Sequence, residues 1–579
     1  MKLAVIALDY DGTIAVDGIF DPAVRDAIGT ARRKGIAVVL VTGRRLDDLC
    51  RVAGDVSCFD AVVGENGAVL DFPASGRHLS LGHPPAPAFI AELNRRGIRH
   101  VDGEVVIETD AASAEAMLDV VRRLQQPLIL AFNRGRLMVL PQGVAKSTGL
   151  RHALQALRLS IHNTIGIGDA ENDHDLLDAC EVGVAVAWGS AALRAVADEV
   201  IEGSGPPAVA DYIRRVIRQP RLSSSQMGRR RLLLGRQHDG EPVNLAVRGR
   251  TVLIAGEPGT GKSYLAGLIC EQLILQGYSM CIIDPEGDYQ TLDRLPGVVT
   301  LGGDDPVPRP RDLIRALRHP DVSVIVDLSR MPHHLRAEYL RSLLPVLNGL
   351  RRHTGLPHKI LLDEAHYCLG VGNAALVDPE LAGYILVTYR VSALDAAIRT
   401  TSDAVVIVTR ETDVHEIETL TRMCRPQPCN TVGPETLRDL GTNEAALLPG
   451  SEESHGRVRS FQMAARLTSH VRHRAKYLDM PVLDDQAFVF SAGSRGGVRA
   501  HSLKEFVGLL AVLPAEPLAE HMKRHDFARW LDDVFRDHGL GAHVRELEME
   551  VDVRDACDIA ADVAQAIRAR YETASSLSA

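Results

Sequence analysis

Two aspartates stand two residues apart in the stretch DYDGT, directly after an apolar run at 3–8. At a strand end such a pair can divide labour. Asp9 is placed to attack phosphorus and form an aspartyl-phosphate, while Asp11 protonates the leaving oxygen and later activates water. Both need a cation to offset the converging negative charge. The segment GDAENDHDLL adds Asp169 and Asp173, four residues apart at a strand-to-helix junction, and hard oxygen ligands of this kind suit Mg2+. Between the two acidic clusters, VTGRR puts Thr42 at the end of a strand over 37–41, and GVAKS puts Lys146 just before a helix. A hydroxyl and an ammonium are what a transferring phosphoryl group needs for orientation and charge neutralisation.

A second constellation lies further along. GEPGTGKS at 256–263 fits the pattern GxxxxGK[ST], follows a strand over 251–255 and opens a helix at Tyr264. Gly256, Gly259, Thr260, Gly261, Lys262 and Ser263 therefore form an expected ATP-binding loop. Its backbone amides cradle phosphates, Lys262 reaches the terminal phosphates and Ser263 ligates Mg2+. About a hundred residues on, KILLDEAH is an apolar strand ending in Asp363, placed near Mg2+, and Glu364, placed to polarise the attacking water.

The elements that must position these groups follow two α/β series. Residues 1–218 alternate short β-branched runs (3–8, 37–41, 61–63, 164–167 and 183–186) with helical segments, the pattern of a parallel sheet whose chemistry gathers at strand C-terminal ends. Between about 84 and 141 the order helix, strand, helix and two strands indicates an inserted α+β cap. Asn133, Arg134 and Arg136 there could face a substrate or form an exposed hairpin turn, and the turn is the favoured reading because NRG is a turn sequence. The polar, serine-rich stretch 219–228 is the expected linker. A P-loop α/β domain is expected over 229–468, with strands at 251–255, 280–283, 323–326, 359–362, 384–387 and 404–408, followed by a mostly helical region of unassigned role at 469–579.

The order DxDGT, strand-end Thr, Lys and GDxxND resembles the four motifs of the haloacid dehalogenase (HAD) superfamily over residues 1–218. The cap position and GENGA at 64–68 resemble the subfamily containing Cof-type, sucrose-phosphate and archaeal phosphoglycolate phosphatases. That resemblance implies a Rossmann-like sheet, Asp9 as nucleophile, Asp11 as acid and base, Thr42 and Lys146 as phosphate binders, and Asp169 as metal ligand, completed by Asp9 and the Asp11 backbone carbonyl. Asn172 and Asp173 match the ND pair that supports the metal loop. Residues 229–468 resemble the HerA/FtsK motor ATPases through LLLGRQHDGEPVNLAVRGR, the P-loop, DPEGDY and VIVDLS. Tyr389 in VTYR stands where that family commonly has Gln. This second resemblance implies a RecA-like fold, a homo-oligomer of hexameric type, and an arginine acting in trans, for which Arg390, Arg399 and Arg410 are candidates.

Composition bounds the partners. A formal charge of -10 with 4% aromatic residues gives neither a global attraction to nucleic acid nor a base-stacking surface. The basic clusters at 229–231 and 470–476 read as solvated junctions. Nine scattered cysteines without CxxC spacing, Cys424 and Cys429 among them, fit a reducing compartment. No apolar stretch has membrane-spanning length, so a cytoplasmic protein is expected. His521 and His525 fall four apart on an expected helix, and Leu518, Met522, Phe527, Trp530, Leu531 and Val534 form its apolar stripe. The sequence supports a Mg2+-dependent phosphatase acting on a small phosphomonoester, coupled to a ring-forming ATPase. The alternatives are a HerA-like DNA motor for defence with the first domain as accessory effector, or that domain as a non-catalytic metabolite sensor.

Overall fold

The computed structural model describes residues 2–133, 135–219, 230–247, 251–400, 404–423, 434–441, 443–449, 454–469, 478, 482, 486–492, 495–535 and 537–571. The expected linker beyond Gln219, Arg134, the Cys424 and Cys429 pair and the basic run 470–476 lie outside these residues.

The first sheet has eight strands in the order Glu199–Ile201, Val182–Val186, Thr164–Gly168, Val5–Leu8, Ala37–Val41, Ala61–Gly64, Val69–Phe72 and Arg77–Ser80. The first six are parallel and the last two antiparallel. The runs VIAL, AVVG and VGVAV are buried along their whole length because helices cover both faces. Val5–Leu8 sits in the middle, so Asp9 leaves the sheet centre beside Asp169, which leaves the adjacent strand.

The cap is a four-stranded antiparallel sheet, ordered Leu128–Asn133, Arg136–Pro141, Ile107–Asp110 and His100–Asp102, with helices Pro87–Arg95 and Ala114–Arg123. It has one strand more than the sequence pattern indicated. His100–Asp102 is only three residues long and mostly polar, so it carries no apolar alternation. Asn133 pairs with Arg136, so Leu128–Asn133 and Arg136–Pro141 form a hairpin, as expected around this sequence.

The second sheet has eleven strands. Seven are parallel, in the order Ala404–Val408, Thr251–Ala255, Tyr384–Thr388, Lys359–Leu362, Met280–Asp284, Ser323–Asp327 and Val298–Gly302. Four edge strands, Glu444–Leu447, Arg459–Met463, Arg231–Arg236 and Pro242–Ala246, extend it with antiparallel pairing. The strand Tyr384–Thr388 separates the P-loop strand from the strand ending at Asp363. Beyond this sheet, the hairpin Phe488–Ala492 and Arg495–Ala500 packs with helices Leu503–Leu510, Ala515–Lys523, Asp526–Val534, His538–Glu548 and Ala556–Tyr571.

His521 and His525 do not share a helix. His525 adopts φ +54° and breaks the expected single helix in two. His521 Nδ1 then lies 2.8 Å from Asp526, and His525 Nδ1 lies 3.3 Å from Glu548.

The two sheets meet at the N-terminal ends of their strands. Tyr278 donates to Glu181 (2.9 Å), and its ring stacks on His162 at 3.8 Å. His358 accepts the Ser279 amide at Nδ1 (2.8 Å), which leaves Nε2–H to donate to Asn163 (3.1 Å). Burial holds the His358 imidazole well below its ordinary pKa, so it is neutral. These residues directly precede Thr164–Gly168, Val182–Val186, Met280–Asp284 and Lys359–Leu362. Asp169 and Asp363 therefore lie at the far ends of their strands, facing away from the junction, each about 15 Å along a strand from it.

Candidate active sites

At the first site the fold brings three segments, those of Asp9, Lys146 and Asp169 to Asp173, into one hydrogen-bonded cluster. Lys146, at the start of helix Lys146–Leu157, donates from Nζ to Asp9 Oδ1 and to Asp173 Oδ1, both at 2.6 Å, with the whole side chain buried. The second oxygen of Asp173 accepts the amides of Asp169 and Ala170, each at 3.0 Å. Burial raises the Asp9 pKa well above the carboxylate range, and Asp173 raises it further against the opposing pull of Lys146. For Lys146, burial works to lower the pKa, but the charges of Asp173 and Asp9 outweigh it and raise it.

Helix Lys146–Leu157 can approach only because two glycines meet. A Cβ on Gly67, which has φ +104°, would stand 1.9 Å from the Ala145 carbonyl oxygen, and one on Gly149 would stand 2.6 Å from Gly67 Cα. Thr42 lies buried at the end of Ala37–Val41, its hydroxyl accepting the Arg44 amide at 3.1 Å. Asp9, Asp169 and Asp173 each offer a buried carboxylate oxygen, all within 4.8 Å of one another. Three hard oxygens beside one ammonium are a donor set that fits Mg2+.

Several functional neighbours were not singled out from the sequence. Arg44 grips Asp11 with two bonds, Nε at 2.7 Å and Nη2 at 2.8 Å, and also bonds Asp48 at 2.5 Å. Bidentate guanidinium contacts of this kind fix direction as well as charge. Its place next to Thr42 in VTGRR was the available signal. Glu65 of GENGA is buried and takes three cap amides, those of Glu104 (2.7 Å), Val105 (2.8 Å) and Val106 (3.0 Å). The Trp188 indole donates to the Gly12 carbonyl at 2.7 Å and braces the DYDGT turn. Under the cap, Asp9, Asp11 and Asn172 line a cleft of about 930 Å³ together with Arg45, Arg99 and Arg136.

At the second site, the P-loop joins Thr251–Ala255 to helix Lys262–Leu275, whose first turn carries Lys262 and Ser263. Gly256 adopts φ +137°, and a Cβ there would meet Thr409 Oγ1 at 2.1 Å. Segment 409–412 braces this loop. Glu257 N donates to the Arg410 carbonyl (2.9 Å), and the hydroxyls of Thr260 and Thr409 lie 2.6 Å apart. Lys262 Nζ donates to the Glu257 carbonyl at 2.7 Å. Burial pushes the nearby Glu411 carboxyl up to about 7. Asp363 and Glu364 are buried at the end of Lys359–Leu362, with Glu364 in the left-handed region at φ +48°. In DPEGDY, Asp284 accepts four successive amides, those of residues 286–289, at 2.7–3.2 Å, and so shapes that turn. Arg410 is exposed beside the P-loop, Arg399 ends the short helix Ala396–Arg399, and Arg390 reaches Gln486 at 3.4 Å.

Residues 6–80 and 97–213 match the haloacid dehalogenase-like hydrolase family. A phosphoglycolate phosphatase of Natronomonas pharaonis is 31% identical over 215 residues, covering 35% of this chain and 92% of that protein. The chain belongs to the haloacid dehalogenase-like hydrolases. A phosphoglycolate phosphatase of Methanothermobacter thermautotrophicus is 28% identical, over 37% of this chain and 98% of that protein. A solved haloacid dehalogenase-like hydrolase from B. subtilis is 18% identical, with a TM-score of 0.33, covering 37% of this chain and all of that one. Residues 237–353 match the central domain of helicase HerA. The chain thus joins a HAD hydrolase domain to a domain of the HerA ATPase family. Among the described residues, no helix is long and apolar enough to cross a membrane.

Proposed function

We propose that the chain is a bifunctional enzyme, a Mg2+-dependent phosphomonoester phosphatase over residues 1–218 coupled to a ring-forming ATPase over 229–468. The observation that carries the phosphatase reading is Lys146 held between Asp9 and Asp173, inside a buried acidic cluster and beneath an anchored cap. Asp9 and Asp169, with the Asp11 backbone carbonyl, would hold Mg2+. When bound, the ion would screen the negative charge shared by Asp9 and the phosphoryl group. Lys146 and Thr42 orient the phosphoryl oxygens. An Asp9 oxygen attacks phosphorus as the ester P–O bond breaks, and the departing oxygen takes its proton from Asp11. Asp11 then removes a proton from water, the resulting hydroxide attacks phosphorus, and the Asp9–phosphorus bond breaks to release inorganic phosphate.

Arg45, Arg99 and Arg136 line the cleft, Arg45 paired with Asp47 and Arg136 with Glu108, and this mixed charge would suit a small substrate with a second anionic group; the similar proteins are named for phosphoglycolate. In the second domain, Lys262 and Ser263 serve the ATP phosphates and Mg2+, Asp363 supports the ion, and Glu364 polarises water. The junction of His162, Glu181, Tyr278 and His358 supports coupling, because it joins strands that run to both sites.

The test is phosphate release from 2-phosphoglycolate and a panel of other phosphomonoesters with Mg2+. Turnover that Asp9→Asn abolishes and Glu364→Gln spares supports the reading. An absence of turnover on every phosphomonoester, with ATP hydrolysis intact, would overturn the phosphatase half.

A further inference from the structure

The helices and hairpin at 488–571 have their own apolar core, centred on Phe488, Phe490, Phe506, Phe527 and Trp530. Two aromatic side chains from the ATPase sheet complete it, Tyr367 and Tyr389. Both stand at the nucleotide site. Tyr367 ends the turn Ala365–Tyr367 that follows Glu364, and Tyr389 follows Tyr384–Thr388, the strand between the P-loop and Asp363 strands.

His366 is wedged between them. Its ring centroid lies 4.3 Å from that of Tyr367 and 4.6 Å from that of Tyr389, the latter edge-on. Its Nδ1 is 3.1 Å from Thr388 Oγ1 and 3.6 Å from Glu364 Oε2. Burial, reinforced by Arg390 and Lys262, pushes the imidazole pKa down to about 3, so the ring is neutral. Thr388 Oγ1 also accepts the Arg390 amide at 3.0 Å, which ties the ring to the segment after Tyr384–Thr388. The other ring nitrogen, Nε2, is buried with no hydrogen-bond partner among the described residues. A parallel link runs through Arg390, which lies over the Tyr389 ring at 5.3 Å and reaches Gln486, whose carbonyl accepts the Trp530 indole at 2.8 Å.

We infer that His366 and Tyr389 are positioning residues for ATP hydrolysis, and that the C-terminal helical module holds them so that its docking sets the direction of Glu364. The inference rests on Glu364 being the water-polarising residue. Tyr389 gives the module an aromatic handle beside the nucleotide site.

Steady-state ATP hydrolysis by the full chain decides it. His366→Ala and Tyr389→Ala are expected to lower kcat at least about tenfold with KM within about threefold, whereas Tyr389→Phe stays within about twofold of wild type. With Trp188→Phe as background, Trp530 is the one remaining indole of the two in the chain. Its emission should shift when Mg2+ and ADP are added, and the shift should vanish with His366→Ala. Wild-type kcat in both alanine variants, or a change confined to KM, overturns the inference. So does an emission that ADP leaves unchanged. If instead wild type and Glu364→Gln are equally inert toward ATP, the ATPase reading itself fails. Should Tyr389→Ala melt early, Gln486→Ala replaces it, with a kcat loss of about threefold expected and an unchanged kcat counting against the proposal.

Discussion

The two candidate sites sit at the ends of parallel strands, yet they are held together differently. In the HAD site, hydrogen bonds run between distant motifs, with Lys146 spanning Asp9 and Asp173 and Arg44 spanning to Asp11. At the nucleotide site, the P-loop leans on segment 409–412, while Glu364 and the strand after it are backed by His366, Tyr389 and the C-terminal module. The first arrangement fixes reacting groups against one another, as bond-making chemistry at a small substrate requires. The second leaves Glu364, the proposed water-polarising residue, answerable to a separate folded body, which would suit a site whose turnover is coupled to something else.

Even in a coupled chain, two sites with separate reacting groups should lose their chemistry separately on mutation. Asp9→Asn should cut phosphomonoester turnover by about four orders of magnitude or more, leaving ATP hydrolysis within about twofold. A parallel loss of both activities in folded protein would break the comparison. Gly149→Val should push helix Lys146–Leu157 off the Gly67 turn, since a Cβ there would come within 2.6 Å of Gly67 Cα and of Val63. We expect a kcat loss near 10²-fold, about the effect of misplacing Lys146 by an ångström, read in the same phosphate-release assay.

Arg44→Lys removes the two-point hold on Asp11 while keeping the charge, and should lower kcat roughly tenfold, about 1.4 kcal/mol of barrier. An unchanged kcat would show that Asp11 is oriented by other means. Glu65→Ala strands three cap amides and should weaken their protection against hydrogen exchange by about 2 kcal/mol. Protection at residues 104–106 equal to wild type would show that the cap is held elsewhere.

The smallest effect concerns the C-terminal module. Burial, with the Asp526 charge, raises the Glu548 carboxyl from 4.5 to about 8. The folded state then binds the proton more tightly than the unfolded chain. Its contribution is full below pH 4.5 and is lost as pH rises through 8. The thermal midpoint of the module should therefore fall between these limits, and Glu548→Gln should flatten the profile.

Much of this was legible in the chain. DYDGT, GVAKS and GDAENDHD announced a nucleophile, an ammonium and an acidic cluster, and the fold places Lys146 against Asp9 and Asp173 as those residue types demand. GEPGTGKS likewise announced a phosphate loop. Arg44 was passed over because an arginine on a helix approach is ordinarily solvated, and only its reach to Asp11 distinguishes it. The edge strands Arg231–Arg236 and Pro242–Ala246 and the short cap strand were not separable from loops, because one carries Gly235, one opens on Pro242 and the third is three mostly polar residues, so none shows a clean apolar alternation. The break at His525 was missed because local periodicity favours one long helix, whereas packing in the aromatic core requires two.

Residue type and short spacing thus determined the chemistry available, since nucleophiles, ammonium groups and glycine turns act through local geometry that a few residues encode. Tertiary structure alone decided which cap amides Glu65 holds, that the two sheets dock through His162, Tyr278 and His358, and that Tyr389 belongs as much to the C-terminal core as to the nucleotide site. Each of these depends on contacts between segments tens to hundreds of residues apart, and such contacts are selected by the packing of whole faces rather than by any local pattern.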